Sequence, residues 1–227
     1  PKSEADMYTL HYSPDTASLI VRLVLRELNL TFTEQLIDRE AGALDIPAYR
    51  ALHPLGKIPA METPDGAMFE TAAILLYLSD RHPGLAPAPD SPDRAAFLKW
   101  LFFTSTNLHP TLLELFYPDR VAGPDCAAAV LTHAHARMES FLNLLDQMID
   151  ADKPTWLSDT QPSLLGYYLA VLIRWLATYG PGHPSYFIAK DFPALNRVLA
   201  HLETRPAALD ASLAESLGPT IFTNPAY

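Results

Sequence analysis

Over the first third of the chain, apolar positions switch back and forth between alternate and helical spacing. The stretch Asp6–Tyr12 (DMYTLHY) is short, aromatic and closed by the turn signal Ser13-Pro14-Asp15, which predicts a strand. From Ser18 onward Leu19, Leu23 and their neighbours recur at helical spacing through Leu28, and Asn29 closes that helix. Thr31–Ile37 alternates as a strand does. Residues 42–52 read as a short irregular helix ended at His53-Pro54, because the residue before a proline is pushed out of helical geometry. Lys57–Glu62 and Ala67–Phe69 flank the turn Pro64-Asp65-Gly66 as a hairpin, and a helix follows over Glu70–Arg81. The order β-α-β-α-β-β-α is thioredoxin-like.

Residues 82–93 (HPGLAPAPDSPD) carry four prolines and no periodic apolar face, so the linker belongs there. The expected domains are 1–82, an α/β unit, and 94–227, an all-α unit, joined by 83–93. In the second unit Met138, Phe141, Leu142, Leu145, Met148 and Ile149 follow i, i+3, i+4 spacing. Leu164–Leu176 is apolar nearly all round, which predicts a buried central helix. Trp100–Tyr117 (WLFFTSTNLHPTLLELFY) reads as one helix facing the first domain, kinked at Pro110.

Composition narrows the function classes. With 227 residues, 49% of them apolar, the chain can bury a sizeable core. Its longest uncharged apolar-rich run, Leu164–Ile173, falls short of the roughly 18 to 20 residues that span a bilayer, so no membrane partner is expected. Lys2, Glu4 and Asp6 near the start, and Arg22 inside the first apolar helix, do not fit a secretory signal; the expected location is cytoplasmic. The single Cys126, after Gly123-Pro124-Asp125, excludes an internal disulfide framework. A net charge of −10 without a basic stripe argues against nucleic acid as a partner. No metal site is expected, since His133 and His135 diverge on a helix and no other His/Glu spacing suits zinc.

Three places carry possible chemistry. Pro59 falls where a strand should be and cannot donate a ladder hydrogen bond; a cis Ile58–Pro59 peptide would leave the Ile58 backbone as an edge for a peptide-like ligand. Glu70-Thr71 begin a helix, where free N–H groups and the dipole attract a carboxylate while Glu70 can meet an ammonium. A zwitterionic amino-acid end needs both. Lys57 is either a partner for a carboxylate or a solvated loop lysine. Ser13, Thr16 and Ser18 put three hydroxyls at the mouth of the first helix, where they can support a turn, cap the helix or face an anion.

The segment HPLGKIPAMETPDGAMFETAAILLYL, residues 53–78, resembles the glutathione-binding half of the soluble glutathione transferases, in its Gly56-Lys57-Ile58-Pro59-Ala60-Met61 and Glu70-Thr71-Ala72-Ala73-Ile74 motifs. The resemblance implies a thioredoxin-like α/β N-terminal domain followed by an all-α domain, with glutathione as co-substrate. The Ile58 edge would pair with its cysteinyl unit, Glu70 and Thr71 would take the γ-glutamyl end, and Lys57 the peptide backbone or glycyl carboxylate. The first segment is similar to the bacterial beta-class pattern Tyr-Ser-Pro-Gly-Ala-Cys-Ser-Leu. Tyr12, Ser13, Pro14, Ser18 and Leu19 match, but Ala17 stands at the cysteine position and supplies no thiol for mixed-disulfide chemistry.

Ser18, four residues before Arg22, is then the preferred sulfur partner. Thr16 is expected as a helix cap, Ser13 as turn support and Tyr12 as a border of the site. Lowering a thiol pKa from about 8.5 by about 2 units takes roughly 2.7 kcal/mol. One hydroxyl hydrogen bond to the thiolate, roughly 1.5 to 3 kcal/mol, and a helix end at about 0.3 to 1 suffice. His109, with Asn107 two before it, matches the beta-class histidine over the active site, where it would bond the sulfur or protonate a leaving group; lining a domain interface is the alternative. Phe116, Tyr117 and Trp175 are candidates for an apolar acceptor pocket. The family's capping box lacks its acidic half, since Gly166 follows Ser163 by three. The resemblance implies a glutathione-dependent transferase acting on a small electrophile, dimeric through the Met68-Phe69 edge; a glutathione-binding or regulatory protein on the same fold is left open.

Overall fold

The computed structural model describes residues 7–227; the expected start of the first strand at Asp6 and the charged residues before it lie outside that range. Strands β1 (Thr9–Tyr12), β2 (Thr33–Leu36), β3 (Ala60–Thr63) and β4 (Gly66–Phe69) form one sheet in the order β2-β1-β3-β4. β1 runs parallel to β2 and antiparallel to β3, which hairpins to β4. With helices α1 (Ser18–Glu27), α2 (Pro47–Leu52) and α3 (Thr71–Arg81), this is the thioredoxin-like arrangement read from the sequence. β2 departs from its expected alternation. All four of its residues are exposed, because it is the outer edge, and its apolar anchor is Ile37, buried just past the strand end. α2 is shorter than expected, since Gly42 takes a left-handed φ of 74° and the helix starts only where Pro47 supplies a pre-set first turn.

No helix or strand occurs between His82 and Asp93. Beyond it run α4 (Arg94–Phe103), α5 (His109–Phe116), the short α6 (Asp119–Ala122), α7 (Ala127–Asp152), α8 (Leu164–Leu176), α9 (Pro193–Glu203) and α10 (Pro206–Glu215). Cys126 ends a 3₁₀ turn just before α7, a free and exposed thiol. Every residue of α8 is buried. Ser163 caps it by accepting the Gly166 N–H at 3.0 Å. The missing acidic half of the box has a steric reason: a Cβ on Gly166 would sit 2.9 Å from Leu202 Cδ1 and 3.0 Å from Ser163 Oγ.

The helix expected over 100–117 runs in helical backbone without a break from Arg94 to Phe116, but its middle, Thr104–Leu108, widens to a π-helical segment that the expectation lacked, and Pro110 lies in the first turn of α5 just beyond it. Thr104 Oγ1 donates to the Trp100 carbonyl, and Ser105 and Thr106 both donate to that of Phe102. Hydroxyls that take backbone acceptors, next to a proline with no N–H to give, favour the wider turn.

α1 joins the two halves. It packs on the sheet side against α3 and on the other against α8 and α10, so Ser18 through Leu25 are all buried. One apolar cluster runs from Leu10 through α1 to α8 and Phe222.

Candidate functional site

The hydroxyl turn is a closed cluster. Ser18 has no exposed surface; its Oγ accepts the Ser13 N–H at 3.3 Å, donates to the Ser13 carbonyl at 3.1 Å and lies 2.9 Å from Thr16 Oγ1. The preferred sulfur donor is thus the inward end of the cluster, turned there because α1 is enclosed by α8 and α10. Thr16 is partly exposed, and its hydroxyl donates to the Ser13 carbonyl at 2.7 Å. It does not cap α1 through its side chain as expected: Ala17 occupies the N-cap, and no side chain bonds the first turn. Ser13 is buried and supplies its backbone to both hydroxyls. Tyr12 packs under the Arg22 guanidinium, 4.5 Å from its ring centre, while Arg22 reaches Glu34 and Glu215.

The second part is the edge entering β3. The Ile58–Pro59 peptide is cis. Among the described residues no hydrogen bond engages the Ile58 N–H or C=O. The preceding carbonyl, of Lys57, accepts the Tyr49 hydroxyl at 2.6 Å, and Gly56 turns the loop in a left-handed φ of 58° where a Cβ would meet Arg50 and the Leu44 carbonyl at 2.8 Å. Ala60 pairs with Phe69, so Ile58-Pro59 and Glu70-Thr71 leave the hairpin side by side. Glu70 enters α3 at φ 73°, and no side chain caps that helix. Its first N–H groups therefore remain free for an anion. Lys57 and Glu70 are both exposed, and neither makes an ion pair among the described residues.

The third part comes from the helical half. His109 follows directly on the π segment, and its Nδ1 lies 2.9 Å from the Tyr168 hydroxyl. Tyr168 is buried, and burial raises its phenol pKa, so it keeps its proton; His109 is its only hydrogen-bond partner among the described residues. It therefore donates to Nδ1. His109 is pushed down to about 4, first by burial and then by Lys57, so the ring is neutral at pH 7 and carries its one proton on Nε2. That Nε2–H makes no bond within the described residues and is not enclosed. Lys57 is the charge that acts on His109, and Glu70 the one that acts on Tyr168, so the hairpin edge is an electrostatic neighbour of α5 and α8.

Sequence reasoning missed four supporting residues. Tyr49 is the only buried residue of α2; His53 is buried against Phe69 with its Nδ1 unpartnered, and burial lowers its pKa; Tyr168 and Asp15 complete the set. His53-Pro54 and Asp15 read only as turn signals, and Tyr168 is lost among the apolar residues of α8. Of the proposed acceptor pocket, Trp175 is buried, whereas Phe116 and Tyr117 stay near the surface with Phe116 against Tyr179. A separate concavity of about 620 Å³ between loop 177–190 and the C-terminal tail contains none of the expected site residues. No group of His, Cys, Asp or Glu among the described residues could hold a metal ion, and no helix is long and apolar enough to cross a membrane.

A family profile described as the N-terminal domain of glutathione S-transferase matches residues 17–81. Glutathione S-transferase GST-4.5 of Xanthomonas campestris is 30% identical over 170 residues, covering 73% of this chain and 81% of that relative. This chain belongs to the glutathione S-transferase family. The E. coli disulfide-bond oxidoreductase YfcG is 25% identical over 219 residues, 93% of this chain and 97% of its own. Among solved structures, a sphingomonad glutathione S-transferase complexed with glutathione matches with a TM-score of 0.74 and 30% identity over 92% of this chain and 100% of that one. In this glutathione S-transferase family member, hydroxyls and an alanine, Ala17, stand where the beta-class pattern has its cysteine.

Proposed function

We propose that this protein binds glutathione in the cleft between the hairpin edge and α5, holds its sulfur as thiolate and directs it at a small electrophile in the cytoplasm. The observation that carries this reading is the unpaired Ile58 backbone edge lying beside the free start of α3 at Glu70-Thr71. The edge pairs with the cysteinyl unit, the α3 start takes the γ-glutamyl carboxylate, Glu70 meets its ammonium, and Lys57 meets the glycyl end. The solved relative that carries glutathione supports the ligand.

For the sulfur, we take Thr16 rather than Ser18 as the direct contact, a choice supported by the burial of Ser18 and the partial exposure of Thr16. Two hydroxyls share the Ser13 carbonyl, so Thr16, the partly exposed one, can turn its proton to a thiolate while Ser18 keeps the carbonyl. His109 Nε2–H is a second donor, and neither group acts as a base. Isothermal calorimetry with millimolar glutathione tests the reading. Saturable heat that Glu70→Gln weakens at least tenfold is expected; no heat on folded protein contradicts it.

A second reading, a glutathione-binding protein without catalysis, is favoured by the complete internal pairing of both hydroxyl protons. It gives the same heat but an unshifted thiol titration. The dimer contact is proposed at Met68-Phe69, both partly buried in the isolated chain. Light scattering should give twice the 25.1 kDa chain mass, and Met68→Glu should halve it.

A further inference from the structure

Asp15 sits in the hydroxyl turn at a left-handed φ of 49°, a conformation that disfavours a side chain, and the beta-class pattern has glycine there. Its carboxylate is gripped from the other half of the molecule. Arg174 Nε donates to Oδ1 at 3.0 Å and its terminal nitrogen to Oδ2 at 2.8 Å, while Trp175 Nε1 donates to Oδ1 at 2.9 Å. The Asp15 N–H in turn donates to Glu215 Oε2 of α10 at 2.7 Å. Arg174 is nearly fully buried and is itself fixed by the Ile221 carbonyl, with the Tyr227 ring stacked 4.7 Å away.

Tyr168 and Trp175 lie seven residues apart and so share one face of α8. Tyr168 sets the tautomer of His109, Trp175 lies against the same imidazole with ring centres 6.1 Å apart, and Trp175 also holds Asp15. One rigid, buried helix therefore touches both sulfur-facing parts of the site.

We infer that Asp15 is a positioning residue: by locking the hydroxyl turn to Arg174 and Trp175 it fixes the spacing between Thr16 and His109, which must close on one sulfur. The inference rests on the glutathione reading. Asp15 lies outside the hairpin edge that grips the tripeptide, so its loss should affect the thiolate and turnover far more than affinity.

The test compares wild type, Asp15→Asn and Asp15→Gly, using glutathione and 1-chloro-2,4-dinitrobenzene. Glycine relieves the backbone while removing the tether; asparagine keeps the shape and weakens the charge pairing. Expected for Asp15→Gly are a tenfold or greater fall in kcat, a KM for glutathione within threefold of wild type, a rise of about one unit in the bound thiol pKa and a moved Trp175 indole N–H resonance, with Asp15→Asn intermediate. A role in stability alone would lower the melting temperature and leave the thiol pKa in place. Folded Asp15 variants with wild-type kcat and thiol pKa overturn the inference. If wild type itself neither depresses the thiol pKa nor turns over, the catalytic reading fails first, and the two failures are distinguishable.

Discussion

Thr16 and Ser18 are two residues apart in the chain and face opposite surroundings. Removing the Ser18 hydroxyl strands the buried Ser13 N–H, so Ser18→Ala should destabilise the fold by about 1 to 3 kcal/mol in urea unfolding. Thr16→Val should cost little stability yet raise the bound thiol pKa by about one unit, since it removes the outward donor. At His109, Tyr168→Phe frees the tautomer: glutathione affinity should hold while kcat falls severalfold, and imidazole ¹⁵N shifts should show mixed tautomers. The spacing of Ser18 to Arg22 marks where α1 begins, and that much was legible. Which hydroxyl turns inward was not, because the helices that enclose α1 lie more than a hundred residues further along the chain.

At the scale of elements, the signals that worked were those with a local cause. Pro59 marked the edge, four prolines marked the break before Arg94, and the stretch that is apolar nearly all round gave the bounds of α8. The π segment was not legible, because Pro110 by itself reads as a kink and the hydroxyl bonds of Thr104, Ser105 and Thr106 leave no periodic trace. The Tyr168–His109 bond joins elements that no short-range pattern connects. α8 also yields a prediction in which two effects oppose. Alanine is better than glycine in a helix by about 1 kcal/mol, but at Gly166 the added methyl meets Leu202 and the capping Ser163. Overpacking should win, and Gly166→Ala should destabilise by about 1 to 3 kcal/mol in urea unfolding.

Across the whole molecule, charges on α1 bind the halves together. Arg22 reaches Glu215, Arg26 reaches Asp210, and Glu27 receives both Arg205 and the Tyr167 hydroxyl. Glu215 lies buried at the centre of this seam, and burial pushes its carboxyl up from 4.5 to about 7 against the pull of the Asp15 N–H and Arg22. A raised carboxyl pKa means that the folded state holds a proton the unfolded chain has released. Its contribution to stability therefore falls as pH rises from about 4.5 to about 7 and stays low above that, by on the order of 3 kcal/mol. Glu215→Gln should remove that slope, so the stability difference between variant and wild type should grow in favour of the variant from pH 5 to pH 7.

A cleft assembled from both halves to hold a thiolate is the central claim, and the ultraviolet absorbance of enzyme-bound glutathione, titrated against pH, tests it most directly. A bound thiol pKa one to two units below the free value of about 8.5 is the expected result. Saturating glutathione that binds yet titrates like the free tripeptide would contradict it.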